Sequence, residues 1–170
     1  MDETRTDALV PQHVKDMVAE ETGVLHAAGA VILDAAGRLV VVNPSYKDDW
    51  ELPGGMADDD EDPYAAARRE VVEEIGLDLE LGRLLVVDVT PARVYGRIIT
   101  HFIFDAPVLT DEQVRDLKAC DVELLGAAAL PVEEALAALH SRVARRVEVA
   151  LRMRGTGGCA YLLDGRPAAG

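Results

Sequence analysis

Residues 54–77, GGMADDDEDPYAAARREVVEEIGL, constrain this chain more than any other stretch. A glycine pair leads into an acidic loop, and the loop leads into a short helix with clear ends. Asp62 suits the N-cap, Pro63 the first helical position and Gly76 the residue after the last turn. Helical residues advance by about 100° each, so Glu70, Glu73 and Glu74 share one face. Three carboxylates on one turn repel each other, and folding alone gives no reason to gather them. A divalent cation gives one, because hard cations take oxygen ligands and bridge carboxylates to phosphates.

The same helix has a second side. Tyr64, Ala65, Val71, Val72 and Ile75 fall mostly opposite the acids, so one side is expected to be buried and the other presented. Arg68 falls toward the apolar side, an exception that the wheel leaves unexplained. Arg69 sits beside the acids and can hold a carboxylate through a bidentate pair, with Glu61 one partner within reach. Gly54 and Gly55 let backbone approach a metal or phosphate where a side chain would obstruct it. Taken alone, E-x-x-E-E reads first as a solvated acidic face with arginine counter-charges.

Charge narrows the ligand. The chain has 31 acidic and 17 basic residues among 170, a net charge of −14. Such a surface repels a polyanion, which argues against gripping DNA or RNA. A small phosphorylated ligand stays open if metal ions and a few local cations admit it. Only Lys15, Lys47 and Lys118 are lysines, so Lys47 near the glycine pair stands out.

At 49% apolar, the chain can bury one domain-sized core. No apolar run approaches the roughly 20 residues of a membrane span, and MDETRTDALV is acidic, unlike a secretory signal. A soluble, cytoplasmic protein with no membrane partner is expected. Cys120 and Cys159 lack CxxC spacing and read as reduced thiols.

The remaining elements follow from periodicity. Residues 1–22 read as an N-terminal extension, with a short helix over 11–21. Residues 24–34 and 38–43 read as β-strands around a hairpin turn at Ala35-Ala36-Gly37. Residues 79–91 and 94–108 read as two more strands, 110–120 as a helix-tolerant stretch and 122–130 as a weaker apolar run. Pro131 then opens one long amphipathic helix, with Val132, Leu136, Leu139, Val143, Val147 and Leu151 on its stripe and Gly155 as its stop. The domain proper is expected over 23–156, and the tail over 157–170 adds an extended segment. This order predicts an α/β fold, a mixed sheet between helices.

The segment from Gly55 to Leu77 resembles the signature of the Nudix hydrolases, Gly-x5-Glu-x7-Arg-Glu-U-x-Glu-Glu-x-Gly-U, where U is a bulky aliphatic. Here it reads Gly55, Glu61, Arg69, Glu70, Val71, Glu73, Glu74, Gly76 and Leu77, with no departure at a defined position. The lead-in Trp50-Glu51-Leu52-Pro53-Gly54 is also similar. The resemblance implies a Nudix-type α/β/α sandwich and Mg²⁺- or Mn²⁺-dependent hydrolysis of a nucleoside diphosphate linked to another moiety. It implies Glu70 and Glu74 as principal metal ligands, Glu73 as a further ligand or water-held contact, and the Gly54 carbonyl as another ligand. Arg69 and Glu61 would orient the helix and its carboxylates. A homodimer is frequent in such proteins, and here rests on analogy alone.

Outside the signature the candidates are weaker. Glu123 is the first candidate for general base, with Asp121 and Glu112 behind it; Glu70 or Glu74 are alternatives, and an ordinary solvated glutamate is the plain reading of Glu123. Lys47 and Gly55 are candidates for substrate binding, Lys47 as a point charge on a terminal phosphate. Arg97 and His101 lie four apart on an expected strand and so share a face, as candidates for touching substrate, though a packed or surface histidine is the plainer account. Tyr46 and Trp50 are candidates for base stacking, with core packing as an equal reading of Trp50. Pro91 and Tyr95 fall where some branches carry a marker residue, but neither assigns a substrate. Two other functions on such a fold are a nucleotide sensor without turnover and a diphosphate isomerase. The intact signature and the absence of an added nucleic-acid-binding domain weigh against them.

Overall fold

A computed structural model describes residues 23–168. The expected extension over 1–22 and its helix lie outside them. The first half contains β1 (Leu25–Val31), β2 (Leu39–Pro44), β3 (Gly54–Met56), α1 (Pro63–Ile75) and β4 (Leu84–Thr90). Then come α2 (Ala92–Tyr95), β5 (Ile99–Asp105), α3 (Asp111–Arg115), β6 (Leu124–Leu130), α4 (Val132–Ala138), α5 (Ser141–Thr156), β7 (Ala160–Leu163) and β8 (Arg166–Pro167).

Six strands form a mixed sheet in the order β3-β1-β5-β4-β7-β8, and β2 pairs with β6 in a separate antiparallel ladder. At the centre β1 runs parallel to β5, and β4 runs antiparallel to β5. Alternation along the strands divides the core. Ala28 and Ala30 of β1 and Val40 and Val42 of β2 pack with Ala66, Ala67, Val71 and Ile75 of α1. Val31, Leu39 and Val41 point the other way, toward Ala135 of α4 and Val147 and Ala150 of α5. Period-two side chains thus supply both faces. The result is the expected α/β sandwich with helices on both sides.

Several local expectations are corrected. The turn at Ala35–Gly37 is present: Asp34 accepts from Gly37, and the Asp34 amide donates to Arg38 O, both at 3.0 Å. Its arms pair antiparallel at Leu33 and Leu39, with the Val40 amide donating to Ile32 O at 2.9 Å, but part beyond that, because β1 joins the six-stranded sheet and β2 turns to β6. Burying both faces of both strands requires more partners than a hairpin supplies. The strands expected over 79–91 and 94–108 are shorter, Leu84–Thr90 and Ile99–Asp105. Residues 92–95 instead form a helical turn, closed by Gly96 at φ 78°.

The long C-terminal helix is two helices. Leu139 is extended, with φ −76° and ψ 147°. It bridges to Trp50, whose amide donates to Ala138 O at 3.0 Å. His140 then caps α5, its Nδ1 accepting from the Arg142 amide at 3.3 Å. Both pieces face the same core, so the apolar spacing runs through the break and conceals it. The helix also passes Gly155 and ends at Gly157, φ 78°. The tail does add an extended segment: β7 pairs in parallel with β4 and buries Leu162 completely.

Candidate functional site

Helix α1 forms where its boundary residues place it. The Asp62 carboxylate accepts from the Tyr64 and Ala65 amides, Pro63 occupies the first turn, and Gly76 closes the helix at φ 71°. Arg68, anomalous on the wheel, reaches Asp78 at 2.6 Å. The apolar side buries Ala66, Ala67, Val71 and Ile75, which turns the opposite side toward β3.

Arg69 is the hub of that side. Its Nε and Nη2 donate to the two oxygens of Glu61 at 3.0 and 2.9 Å. Nη1 donates to Glu70 at 2.9 Å and Glu73 at 3.0 Å, and Nη2 also reaches the Met56 carbonyl at 3.0 Å. One planar guanidinium therefore ties the loop, β3 and two helix acids together, as the sequence suggested for Glu61. The bonds to Glu61 hold the guanidinium charge well above its ordinary range.

The glycine pair sits against the same acids. Glu74 Oε2 accepts from the Gly54 amide at 2.8 Å. Gly54 has φ 151°, and a Cβ there would lie 2.4 Å from Ala28 O and 2.5 Å from Gly29 Cα. Only glycine lets β3 approach β1 this closely. A Cβ on Gly55 would instead lie 2.5 Å from Glu70 Oε1. The Glu70 carboxylate occupies space that only an absent side chain leaves free.

These residues line one end of a cleft of about 640 Å³. Glu70, Glu74, Gly54, Gly55, Lys47 and Glu123 all border it, so the structure brings most of the sequence candidates together. Asp121 borders it as well. Lys47 is paired with Glu51 and stands 5.5 Å from the Tyr46 ring centroid. Glu123 is exposed on the rim, where its amide donates to Asp121 Oδ1 at 2.7 Å.

Other candidates fall elsewhere. Glu73 and Arg69 stand behind the lining, Glu73 half-exposed and held by Arg69. Glu112 belongs to the surface helix α3, away from the cleft. Arg97 precedes β5 and donates to Gly23 O at 2.9 Å, so the shared face expected for Arg97 and His101 is not formed. Trp50 packs in the α5-side core, whereas Tyr46 stays largely exposed in the cleft.

Burial controls the charge of the two cleft glutamates. Burial pushes Glu70 above the usual carboxylate range, although Arg69 pulls it down. Glu74 is pushed up to about 8, by burial first, against the bond from Gly54, with Glu70 adding repulsion. A carboxylate so enclosed, with one amide as its hydrogen-bond partner, is short of positive charge. Among the described residues, no three acidic, histidine or cysteine side chains converge tightly enough to surround an ion. Mg²⁺ does not require that, since it characteristically keeps waters and takes one or two carboxylates plus substrate phosphates. Glu70 and Glu74 fit that mode.

At the opposite end of the cleft the sequence singles out His101 and Tyr95, but not as parts of one site. Tyr95, His101, His140, Arg142 and Arg146 border it. Arg146 is only 5% exposed and pairs with Asp88, which is fully buried. The signal was present in the sequence, because Arg146 lies next to Val147 and within the apolar spacing of Val143, Val147 and Ala150. An arginine on a buried stripe marks a polar site inside a core.

Known proteins resemble this chain. The description "NUDIX domain" matches residues 23–150. Diphosphoinositol polyphosphate phosphohydrolase 2 of Rattus norvegicus is 49% identical over 47 residues, 28% of this chain and 26% of that protein. Nucleoside diphosphate-linked moiety X motif 6 of Xenopus laevis is 37% identical over 79 residues, 45% of this chain and 35% of that protein. The matched segments thus span only about a quarter to a third of those relatives. A crystal structure of a NUDIX hydrolase from Nitrosomonas europaea superposes with a TM-score of 0.65 at 16% identity, over 85% of this chain and 80% of that one. That likeness concerns the fold. Among the described residues no helix is long and apolar enough to cross a membrane. The family match over three quarters of its length, on the fold and glutamate helix described above, shows that this chain belongs to the NUDIX domain family.

Proposed function

We propose that the protein is a hydrolase that cleaves the phosphoanhydride bond of a nucleoside diphosphate linked to another moiety, using Mg²⁺ or Mn²⁺. The observation that carries this reading is the pair of partly buried carboxylates, Glu70 and Glu74, bordering one cleft beside the Gly54-Gly55 backbone. Glu70, Glu74 and the Gly54 carbonyl are the groups assigned to the cation, with Glu73 joining through water. When bound, the ion neutralises phosphate charge and lowers the pKa of a bound water.

The protein groups then have separable roles. Arg69 fixes the orientation of Glu70 and Glu73 through its shared guanidinium, and Glu61 fixes Arg69. Gly55 admits the Glu70 carboxylate and gives the diphosphate backbone rather than side chain to lie against. Lys47 meets a terminal phosphate as a point charge, exchanging its contact with Glu51. Glu123, on the rim, accepts the proton of the attacking water.

The same supports favour a small nucleotide over a polymer: the cleft is bounded, and the chain as a whole is strongly acidic. The test is a comparison of leaving groups. Phosphate or mononucleotide release from nucleoside diphosphate derivatives is expected, with p-nitrophenyl phosphate a poor substrate. Good turnover of the monoester with every phosphoanhydride inert would refute the reading.

A further inference from the structure

The sheet face under α5 is apolar along Val86, Ile103, Val147 and Leu162, yet it holds a polar cluster where it reaches the cleft. Asp88 and Thr90 of β4 and His101 of β5 share that face, with Asp88 directly opposite His101 in register. Arg146 Nε and Nη2 both lie 2.8 Å from Asp88 Oδ2, and Asp88 Oδ1 accepts from the Gly165 amide at 3.0 Å. His101 Nε2 lies 3.1 Å from Thr90 Oγ1. A buried ion pair is by itself weak support for stability, and apolar residues of similar volume often replace one at little cost. The cluster therefore calls for a reason beyond packing.

The state of its charged groups bears on the ligand chemistry. Arg146 is paired with Asp88, while Arg142 and Arg93 share Asp164 in the β7–β8 turn. Burial first, and Arg146 second, push His101 down to about 3, so its imidazole stays neutral. The floor of this end thus offers hydrogen-bonding groups, the Arg146–Asp88 pair and the neutral His101, that carry no net charge. Arg146 Nη1 and His101 Nδ1 have no protein partner among the described residues. On the rim, the Tyr95 ring is 60% exposed, next to Gly96. The other cleft tyrosine, Tyr46, belongs to the acidic end, where Glu51, Glu123 and Glu74 act on its hydroxyl.

We propose that the α5 end of the cleft is a nucleobase subsite, in which Tyr95 stacks on the ring and Arg146 Nη1 donates to a ring acceptor. Aromatic faces take any base, and an arginine edge suits an exocyclic oxygen or ring nitrogen. The inference rests on the reading of the glutamate end as the diphosphate site, and it orients the substrate with its base toward α5.

The test reads binding without turnover. AMP, GMP, CMP, UMP and ribose 5-phosphate are titrated calorimetrically into the full chain with Mg²⁺, and amide shifts are followed by NMR. At least one mononucleotide should bind about tenfold or more tightly than ribose 5-phosphate. Its base should shift the Tyr95 and Gly96 amides, which ribose 5-phosphate leaves unmoved. Tyr95→Ala, at an exposed ring, should remove the advantage of the base, whereas Tyr161→Ala, outside the cleft, should retain it. Arg146→Met leaves Asp88 buried without its partner, so it serves only if its melting temperature is kept; it should then flatten the preference among bases. Equal binding of ribose 5-phosphate, or a base-dependent shift at Tyr46 in place of Tyr95, overturns the proposal. Hydrolysis with an unchanged KM in Tyr95→Ala refutes this subsite alone. Base-dependent binding with every phosphoanhydride left intact refutes the catalytic reading alone.

Discussion

The Glu74 carboxylate accepts the Gly54 backbone N–H at 2.8 Å, joining residues twenty positions apart and pinning α1 to β3. The bond positions a partly buried acid in the cleft but does not neutralise it. Glu74→Gln should therefore separate function from stability. The amide retains an oxygen for the Gly54 N–H and removes a desolvated, repelled charge. Its melting temperature without metal should equal or exceed that of wild type. Loss of a charge on the cation should lower kcat by about 10²–10⁴-fold. Glu148→Gln, on the exposed side of α5, is the control, and equal turnover in the two variants would contradict the assignment.

The two glycines should respond differently to the same change. In Gly55→Ala the new Cβ meets the end of the Glu70 side chain, which can swing away. The fold should survive with a modest shift in melting temperature while activity falls, because Glu70 loses its position. In Gly54→Ala the new Cβ meets backbone of Ala28 and Gly29, at a φ of 151° that L residues rarely adopt. That variant should be severely destabilised, and thermal melts of the two beside kcat distinguish the cases.

Arg69→Lys keeps the charge and loses the fork. A single ammonium cannot reach Glu61, Glu70, Glu73 and the Met56 carbonyl together. The expected cost is about 1–3 kcal/mol of stability, from charged hydrogen bonds left unmade. A fall in kcat should accompany it, measured by denaturant melts and steady-state rates. Unchanged values in both would remove Arg69 from its orienting role.

Much of this site was legible because its chemistry is local. The N-cap, the proline, the three glutamates and the terminal glycine of α1 lie within fifteen residues, and the helix period places them on known faces. The Arg69–Glu61 pair was equally readable from spacing. The far end of the cleft is assembled from β4, α2, β5 and α5, brought together only by strand order. Helix breaks were also hidden, since Leu139 keeps the apolar spacing while a bridge to Trp50 holds it extended. Arg97 was misplaced for a related reason. Tyr95 and Gly96 end a helical turn inside a run whose composition reads as strand.

The Asp34 turn supplies a pH test away from the site. Burial raises its carboxyl, but bonds from the Arg38 amide and guanidinium and from the Ala36 amide win and hold it below the ordinary range. A depressed folded pKa contributes stability above the unfolded value, near 4, and loses it as pH falls through the folded value. Asp34→Asn should accordingly melt below wild type at pH 7, and the gap should narrow steadily below about pH 4. A gap that stays constant from pH 7 to pH 2 would contradict this.

The most direct test of the central claim is phosphate or mononucleotide release from a panel of nucleoside diphosphate derivatives, run with Mg²⁺ and again in excess chelator. The account predicts turnover of at least one phosphoanhydride with the ion, abolition by the chelator and restoration when Mg²⁺ or Mn²⁺ is returned. Undiminished hydrolysis in excess chelator, or no hydrolysis of any member with either ion present, would contradict it.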